Sequence, residues 1–396
     1  MTTPASGPAA GLLQPIAAGM LAAFVGFGSS FAVIVAGLTA MGASPDEAAS
    51  GLTMLTIGMG VAGMALSAFT KMPISIAWST PGGALLATTA AVEGGFPAVV
   101  GAFLVTGLLL VVAGSWRPFG RLVAAIPGPL AGAMLAGILL PLVLAPFQAV
   151  GQIPLLMLPV MLVWLIVGRF WRLYAVPAAL VAAIIALALD PGALAGPVPD
   201  LSPTFVLVPP TFTLDALIGV ALPLFLVTMA SQNIPGLAVL ATYGYRPHPG
   251  PLIAWTGVAS LLVAPFGALS INLAAITAAL CAGPDAHPLP ERRWIAAFAA
   301  GCAYVPIGLA ATAAVVLVSL APPLLIQGVA GLALLGAFAA ALLKGLESEP
   351  DRIAALVTFL LAGSGLAFLG IGSAFWGLVA GLAVSALHGR LWRRGG

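Results

Sequence analysis

The side chains of this sequence that could do chemistry inside its apolar runs are neutral hydrogen-bonding groups, and they gather in three places. Ser79 and Thr80 sit in a stretch broken by Pro81, Gly82 and Gly83. Thr228, Ser231, Gln232 and Asn233 precede a Pro235–Gly236 pair, and Ser270 and Asn272 follow Pro265 and Gly267. Such groups supply no nucleophile–base pair, and the sequence has no HExxH, no GxSxG and no paired acids within an apolar run. The expectation is that the chain is not an enzyme. What neutral donors do well is hold a small anion out of water. Gln232 and Asn233 beside a proline are costly in an apolar setting unless their amides meet partners, which makes them the leading candidates to face a substrate.

Holding an anion without basic side chains also calls for free backbone amides, so the elements around these residues matter. Between Lys71 and Ala90, Pro73, Ile74, Ile76 and the run Thr80 to Gly83 weaken helix in the first half. From Gly83 to Ala91 the residues are small helix formers, enough for roughly 12–15 Å of helix. That is about half of a ~30 Å hydrocarbon core. The pattern predicts a segment that runs extended to mid-membrane and then turns helical, leaving amides near Gly82 and Gly83 free at depth. Broken helices of this kind are the usual pointer to a transporter's binding site. The segment Pro265 to Cys281 repeats the design, with Pro and Gly first and about ten helix-compatible residues after. Two such helix starts meeting from opposite sides favour negative charge between them.

Composition decides the setting. Of 396 residues, 61% are hydrophobic and 6% are charged, too few charges to cover a soluble surface. Splitting the apolar runs at charges and Pro/Gly clusters gives fourteen expected spans. They lie near 12–41, 45–69, 73–92, 96–114, 124–146, 153–168, 173–190, 213–241, 249–264, 267–281, 293–319, 323–345, 352–368 and 371–389. Ser44-Pro45-Asp46-Glu47 reads as a capping box opening the second, and 117–123 as an interfacial segment. All thirteen Lys and Arg fall in the connections after even-numbered spans, whereas the odd-numbered ones carry only acids. The positive-inside rule then places both termini in the cytoplasm. Seven is odd, so a seven-plus-seven division at the Pro-rich seam 191–211 predicts an inverted repeat, 12–190 and 213–393.

The remaining features are weaker signals. Gly28 and Ser29 join the candidate site through Gly26-Phe27-Gly28-Ser29-Ser30-Phe31, although glycines there also serve as packing notches. Phe31 and Trp78 offer faces to an aromatic ring and would equally suit a core. Glu93 and Asp215 close span ends and are expected to be solvated. His248, His287 and His388 fall in cytoplasmic connections and read as surface residues. Cys281 and Cys302 suggest neither a disulfide framework nor a metal site, and no metal or cofactor is expected. The net charge of +2 implies no nucleic-acid partner. Residues 1–10 lack a basic n-region, so no cleaved signal is expected.

The phrases Ala-Trp-Ser-Thr-Pro-Gly-Gly-Ala-Leu-Leu (77–86), Ser-Gln-Asn-Ile-Pro-Gly (231–236), Ile-Asn-Leu-Ala-Ala-Ile-Thr-Ala-Ala-Leu (271–280) and Gly-Pro-Asp-Ala-His-Pro (283–288) resemble the benzoate:proton symporter (BenE) family. The resemblance runs along essentially the whole chain. It implies a bacterial inner-membrane carrier importing aromatic carboxylates with protons. It also implies the seven-plus-seven fold of the uracil and anion transporters, with spans 1–4 and 8–11 as core and spans 5–7 and 12–14 as gate. In the related nucleobase carriers an acid stands where this chain has Gln232, a departure that suits an anionic substrate and leaves the proton-coupling group unidentified. A nucleobase or inorganic-anion carrier of the same fold, or a channel, remains an alternative, and a homodimer is left open. If amide dipoles hold the carboxylate, a neutral analogue such as benzamide should compete about ten- to hundred-fold more weakly.

Overall fold

The computed structural model describes residues 10–124, 126–189, 200–275, 277–366, 368 and 373–387. The chain is mostly helical. Among the described residues seven helices are long and apolar enough to cross a membrane, and a bent pair, Pro290–Leu309 with Ala311–Leu320 at 53°, makes an eighth. Large apolar side chains such as Leu155, Phe69, Leu165, Phe170, Leu262 and Leu343 point outward, a surface that only lipid would cover without penalty. The first part of the expected seam, 191–199 of 191–211, together with Asp190, His388, Arg390, Arg393 and Arg394, lies outside the described residues.

In chain order the elements that position the site are α1 (Ala10–Gly28), α2 (Phe31–Ala40), α3 (Pro45–Thr70), β1 (Ile76–Trp78), α4 (Thr80–Thr88) and α5 (Gly95–Ser115). The bundle beside them begins with α6 (Arg117–Ala124), α7 (Gly128–Gln152), α8 (Pro154–Phe170) and α9 (Ala175–Ala188). Then come α10 (Leu214–Thr242), α11 (Pro249–Val263), β2 (Ile271–Leu273), α12 (Thr277–Ala282), α13 (Trp294–Leu309), α14 (Ala311–Leu320), α15 (Pro323–Leu346), α16 (Arg352–Gly363) and α17 (Ser373–Leu387).

Local chemistry explains several boundaries. Ser44 and Glu47 form the expected reciprocal capping box: the Ser44 hydroxyl accepts from the Glu47 amide and Glu47 accepts from the Ser44 amide at 2.8 Å. Lys71 ends α3 in the left-handed region (φ 53°), its ammonium 3.9 Å from the Trp294 ring centre. The first expected span is broken at Ser29–Ser30, where α1 stops and α2 starts. Span 11 likewise bends at Ala310. Of the helix expected to close span 10 with about ten residues, six are described as helical, Thr277–Ala282.

Two groups of helices pack internally. In one, α3 lies along α13, α5 along α11, and α1 along α13. Small residues bring them close: a side chain on Gly60 would strike the Gly301 carbonyl at 2.7 Å. In the other, α7 packs on α15 and α16, α8 on α9, and α16 on α17. Val33 of α2 and Ala84 of α4 meet Leu139, Leu142 and Val143 of α7 and Ala330 and Leu334 of α15 in a buried aliphatic seam.

At one end of the molecule the loop 283–293 holds the end of α12. The buried Arg293 donates to the carbonyls of His287 (2.7 Å), Ala282 (3.0 Å) and Pro288 (3.3 Å). His287 corrects the surface expectation: it is buried, and its Nδ1 accepts from the Leu289 amide at 3.0 Å. Tyr245 donates to the Pro290 carbonyl at 2.8 Å, and burial pushes its hydroxyl up from the ordinary tyrosine value, with Arg293 pulling the other way.

Candidate functional site

The two broken segments meet in a two-stranded antiparallel ribbon. Ile76 lies opposite Leu273, Ala77 opposite Asn272, and Trp78 opposite Ile271. The pairing extends at both ends, with the Ser79 amide donating to the Ser270 carbonyl (3.2 Å) and the Ala274 amide to the Ser75 carbonyl (2.9 Å). Residues from outside the ribbon fix it. The Ser260 hydroxyl of α11 accepts from the Ile271 amide at 2.8 Å, and Ser67 of α3 donates to the Ile74 carbonyl at 3.0 Å. Gly267 turns the chain into β2 at φ +83°, a conformation side chains rarely adopt.

α10 crosses the ribbon. It widens into a π turn twice, at Leu217–Ala221 and again in its middle at Met229–Asn233, an irregularity frequent at functional sites. Asn233 is wholly buried, and its Oδ1 accepts from the Leu273 amide at 2.9 Å while its Nδ2 donates to the Met229 sulfur at 3.4 Å. One turn on, Gly236 admits β2 so closely that a side chain there would lie 2.8 Å from the Ala274 carbonyl. Upstream, Thr228 donates to the Ser79 hydroxyl at 3.0 Å and pairs with the Ser270 hydroxyl at 2.9 Å. A hydroxyl has one proton, so Ser270 is the donor to Thr228.

The start of α4 differs from the sequence expectation. Ser79 caps the helix: its hydroxyl accepts from the Gly82 amide at 3.1 Å and its carbonyl from the Gly83 amide at 2.8 Å. Pro81 has no amide proton. Gly82 and Gly83 therefore have no free N–H, and their absent side chains serve packing instead: a Cβ would strike Leu224 at 2.5 Å and Ile34 at 2.8 Å. At this helix start the amide that stays unengaged among the described residues is that of Thr80, which is half-buried and whose hydroxyl also has no partner there.

The candidate residues thus sort into two classes. Ser79, Ser270 and Asn233 spend their groups on the scaffold. Thr80, Gln232 and the Oδ1 of Asn272 do not: Gln232 makes no side-chain hydrogen bond among the described residues, and Asn272 Oδ1 is buried without a donor. Phe31 and Trp78 are both buried. Phe31 stacks on Phe27 (5.3 Å between ring centres, 9° between planes), and the Trp78 indole N–H donates to Ser30 at 2.9 Å. Phe27 lies between them, 5.6 Å from Trp78, and is the half-buried ring of the three. Ser29 donates to the Gly26 carbonyl at 3.3 Å, and a side chain on Gly28 would meet nothing within 4 Å. Sequence reasoning did not single out Phe27, Ser30, Ser67 or Ser260. For the serines, the only signal was a hydroxyl in an otherwise apolar helix.

At the outer end expected for α4 and α10, Asp215 accepts from the Glu93 amide at 2.9 Å, and its other oxygen is buried, so it is less solvated than a span-end acid would be. Among the described residues no group of three His, Cys, Asp or Glu is arranged to hold a metal ion.

Comparison with known proteins adds relatives to this geometry. A family model described as benzoate membrane transport protein (BenE) matches residues 12–387. The chain is 41% identical over 367 residues to the inner membrane protein YdcO of Escherichia coli strain K12, covering 92% of this chain and 93% of that one. It is 35% identical over 379 residues to a benzoate membrane transport protein of Acinetobacter baylyi, covering 93% and 94%. Among solved structures, the transmembrane domain of the cyanobacterial bicarbonate transporter BicA superposes with a TM-score of 0.60 at 13% identity over 93% of this chain and 98% of that one. The murine anion transporter Slc26a9, in an inward-facing state, gives 0.61 at 14% over 94% and 68%. At such identities these last two show a shared fold and nothing finer.

Proposed function

Because this chain belongs to the BenE family of benzoate membrane transport proteins, we propose that it imports benzoate or a similar aromatic carboxylate, together with protons, across a bacterial inner membrane. The observation that carries this reading is the sorting of polar groups at the ribbon. Thr80, Gln232 and Asn272 keep hydrogen-bonding capacity unspent on and around the ribbon, and the half-buried ring of Phe27 lies 5.6 Å from the ribbon's Trp78, a polar end and an aromatic wall for one small molecule. Ser79, Ser270, Asn233 and Trp78 hold those groups in place, and Gly28 and Ser29 precede Ser30, the partner of the Trp78 indole. The chain would thread the bilayer fourteen times as a seven-plus-seven inverted repeat with both termini cytoplasmic. The helices around the ribbon form the core, and α7–α9 with α15–α17 form the gate, the aliphatic seam of Val33 and Ala84 against α7 and α15 lying between them.

The test is uptake of radiolabelled benzoate into proteoliposomes, with and without an imposed pH gradient. Saturable uptake that an inward proton gradient accelerates is the expected result; uptake indifferent to the gradient removes the coupling. The likeness in fold to a bicarbonate transporter and an anion transporter favours a second reading, an inorganic-anion carrier. In that case bicarbonate or chloride would displace benzoate. A channel would show neither saturation nor counterflow.

A further inference from the structure

Asn272 carries an unanswered hydrogen-bond acceptor at the ribbon. Its side chain is wholly buried, its Nδ2 donates to the Leu273 carbonyl at 2.9 Å, and its Oδ1 meets no donor among the described residues. Turning the amide over does not relieve this, because Oδ1 would then face the Leu273 carbonyl. Asn272 stands opposite Ala77, and directly opposed residues of an antiparallel pair share a face. On that face Ala77 is half-buried, whereas Ile76, Trp78, Ile271 and Leu273 on the opposite face are buried. A buried acceptor without a donor is unfavourable, so the site selects a ligand that brings one. A carboxylate brings only acceptors; a protonated carboxyl group brings one donor and one acceptor. The Thr80 amide and the Gln232 side chain are free to donate to that second oxygen. A separate observation points the same way: residues 12–41, 72–92, 216–242 and 265–280 contain no Asp, Glu, His, Lys or Arg to carry a proton.

We propose that the substrate is bound as the neutral acid, its O–H donating to Asn272 Oδ1, so that the coupled proton travels on the substrate and not on a side chain. The inference rests on the aromatic-carboxylate reading of this site. The carboxylate takes up one proton from the water it leaves and returns it to the water on the other side, one proton per molecule with no net charge moved. It also reverses the expectation for benzamide, whose N–H replaces the acid's O–H.

The experiment is competition binding against labelled benzoate on the purified full chain. A carboxyl with a pKa near 4 is neutral in a fraction falling about tenfold per unit, so the apparent Kd of benzoate rises about tenfold per unit between about pH 6 and pH 8. Benzamide displaces benzoate with an affinity that does not change with pH. Two para-substituted benzoates whose own pKa values differ by about one unit differ about tenfold at fixed pH, the weaker acid binding better. A titrating protein group would treat the pair alike. Asn272→Leu weakens benzamide and benzoate together, by about tenfold or more. A benzoate Kd flat across that range without displacement by benzamide, or equal affinities for the para-substituted pair, overturns the inference. No benzoate binding at any pH would instead overturn the proposed function beneath it.

Discussion

Thr228→Val isolates the scaffold that holds the ribbon to α10. The substitution keeps the volume and removes one hydroxyl, which donates to Ser79 at 3.0 Å and accepts from Ser270 at 2.9 Å. The Ser79 hydroxyl keeps the Gly82 amide, so its loss is small. Ser270 is left buried with a proton and no acceptor. Interhelical hydrogen bonds in membranes average about 0.6 kcal/mol each, which puts the two lost bonds near 1 kcal/mol. The stranded Ser270 hydroxyl adds about 1–3 kcal/mol. The unsatisfied group therefore outweighs the bonds themselves, and the total is about 2–4 kcal/mol of stability. The assay is thermal melting in detergent, with benzoate uptake measured in parallel. Thr228→Val should melt several degrees below the parent. The double variant Thr228→Val with Ser270→Ala should recover part of the loss, because it removes both partners. A single variant that melts like the parent, or a double variant at least as unstable as the single, refutes the argument. Lost uptake at unchanged melting would instead put Thr228 against the substrate.

Gln232 should behave in the opposite way. Gln232→Leu removes no hydrogen bond made within the described residues, so melting should hold while benzoate affinity falls about tenfold or more; unfolding would make the residue structural. Gln232→Glu should abolish uptake near neutral pH and regain some as the introduced carboxyl is protonated at lower pH, and normal uptake at neutral pH would misplace the site. Topology is open to single-cysteine labelling: positions 117, 169 and 292 should label from the cytoplasmic side and 93 and 200 from outside. Finding 200 and 169 on one side would break the fourteen-span scheme.

How much of this was legible in the sequence depends on what kind of signal each feature leaves. Composition was enough for a membrane protein, and Pro73, Gly82, Pro265 and Gly267 were enough to mark two segments as poor helices, because backbone preference is local. The ribbon that joins them is not local. Strands of three residues leave no alternation to read, so the register that sets Ala77 opposite Asn272 has no trace in either segment alone. The capping of α4 was misjudged for a related reason. By residue type Ser79 looks like a ligand beside free amides, whereas it occupies one of those amides itself.

The site residues pose a sharper problem. A membrane carrier that avoids charge at depth must build both its scaffold and its grip from Ser, Thr, Asn and Gln, so residue type does not separate the two. Gln232 and Asn233 are neighbours of the same chemistry. One residue's step around α10 turns Asn233 onto the Leu273 amide and leaves Gln232 without a described partner. Phe27 and Phe31 are alike in the same way: one turn apart and stacked, one half-buried and the other closed in. What distinguishes function here is the accounting of partners. In a buried site every polar group is either answered by the protein or kept for something else, and the groups unanswered among the described residues are donors at the Thr80 amide and the Gln232 side chain, the acceptor of that same Gln232 amide, and a wholly buried acceptor at Asn272 Oδ1. That complement fits a carboxylic acid better than its anion, which is why the proton and the substrate are assigned to the same place.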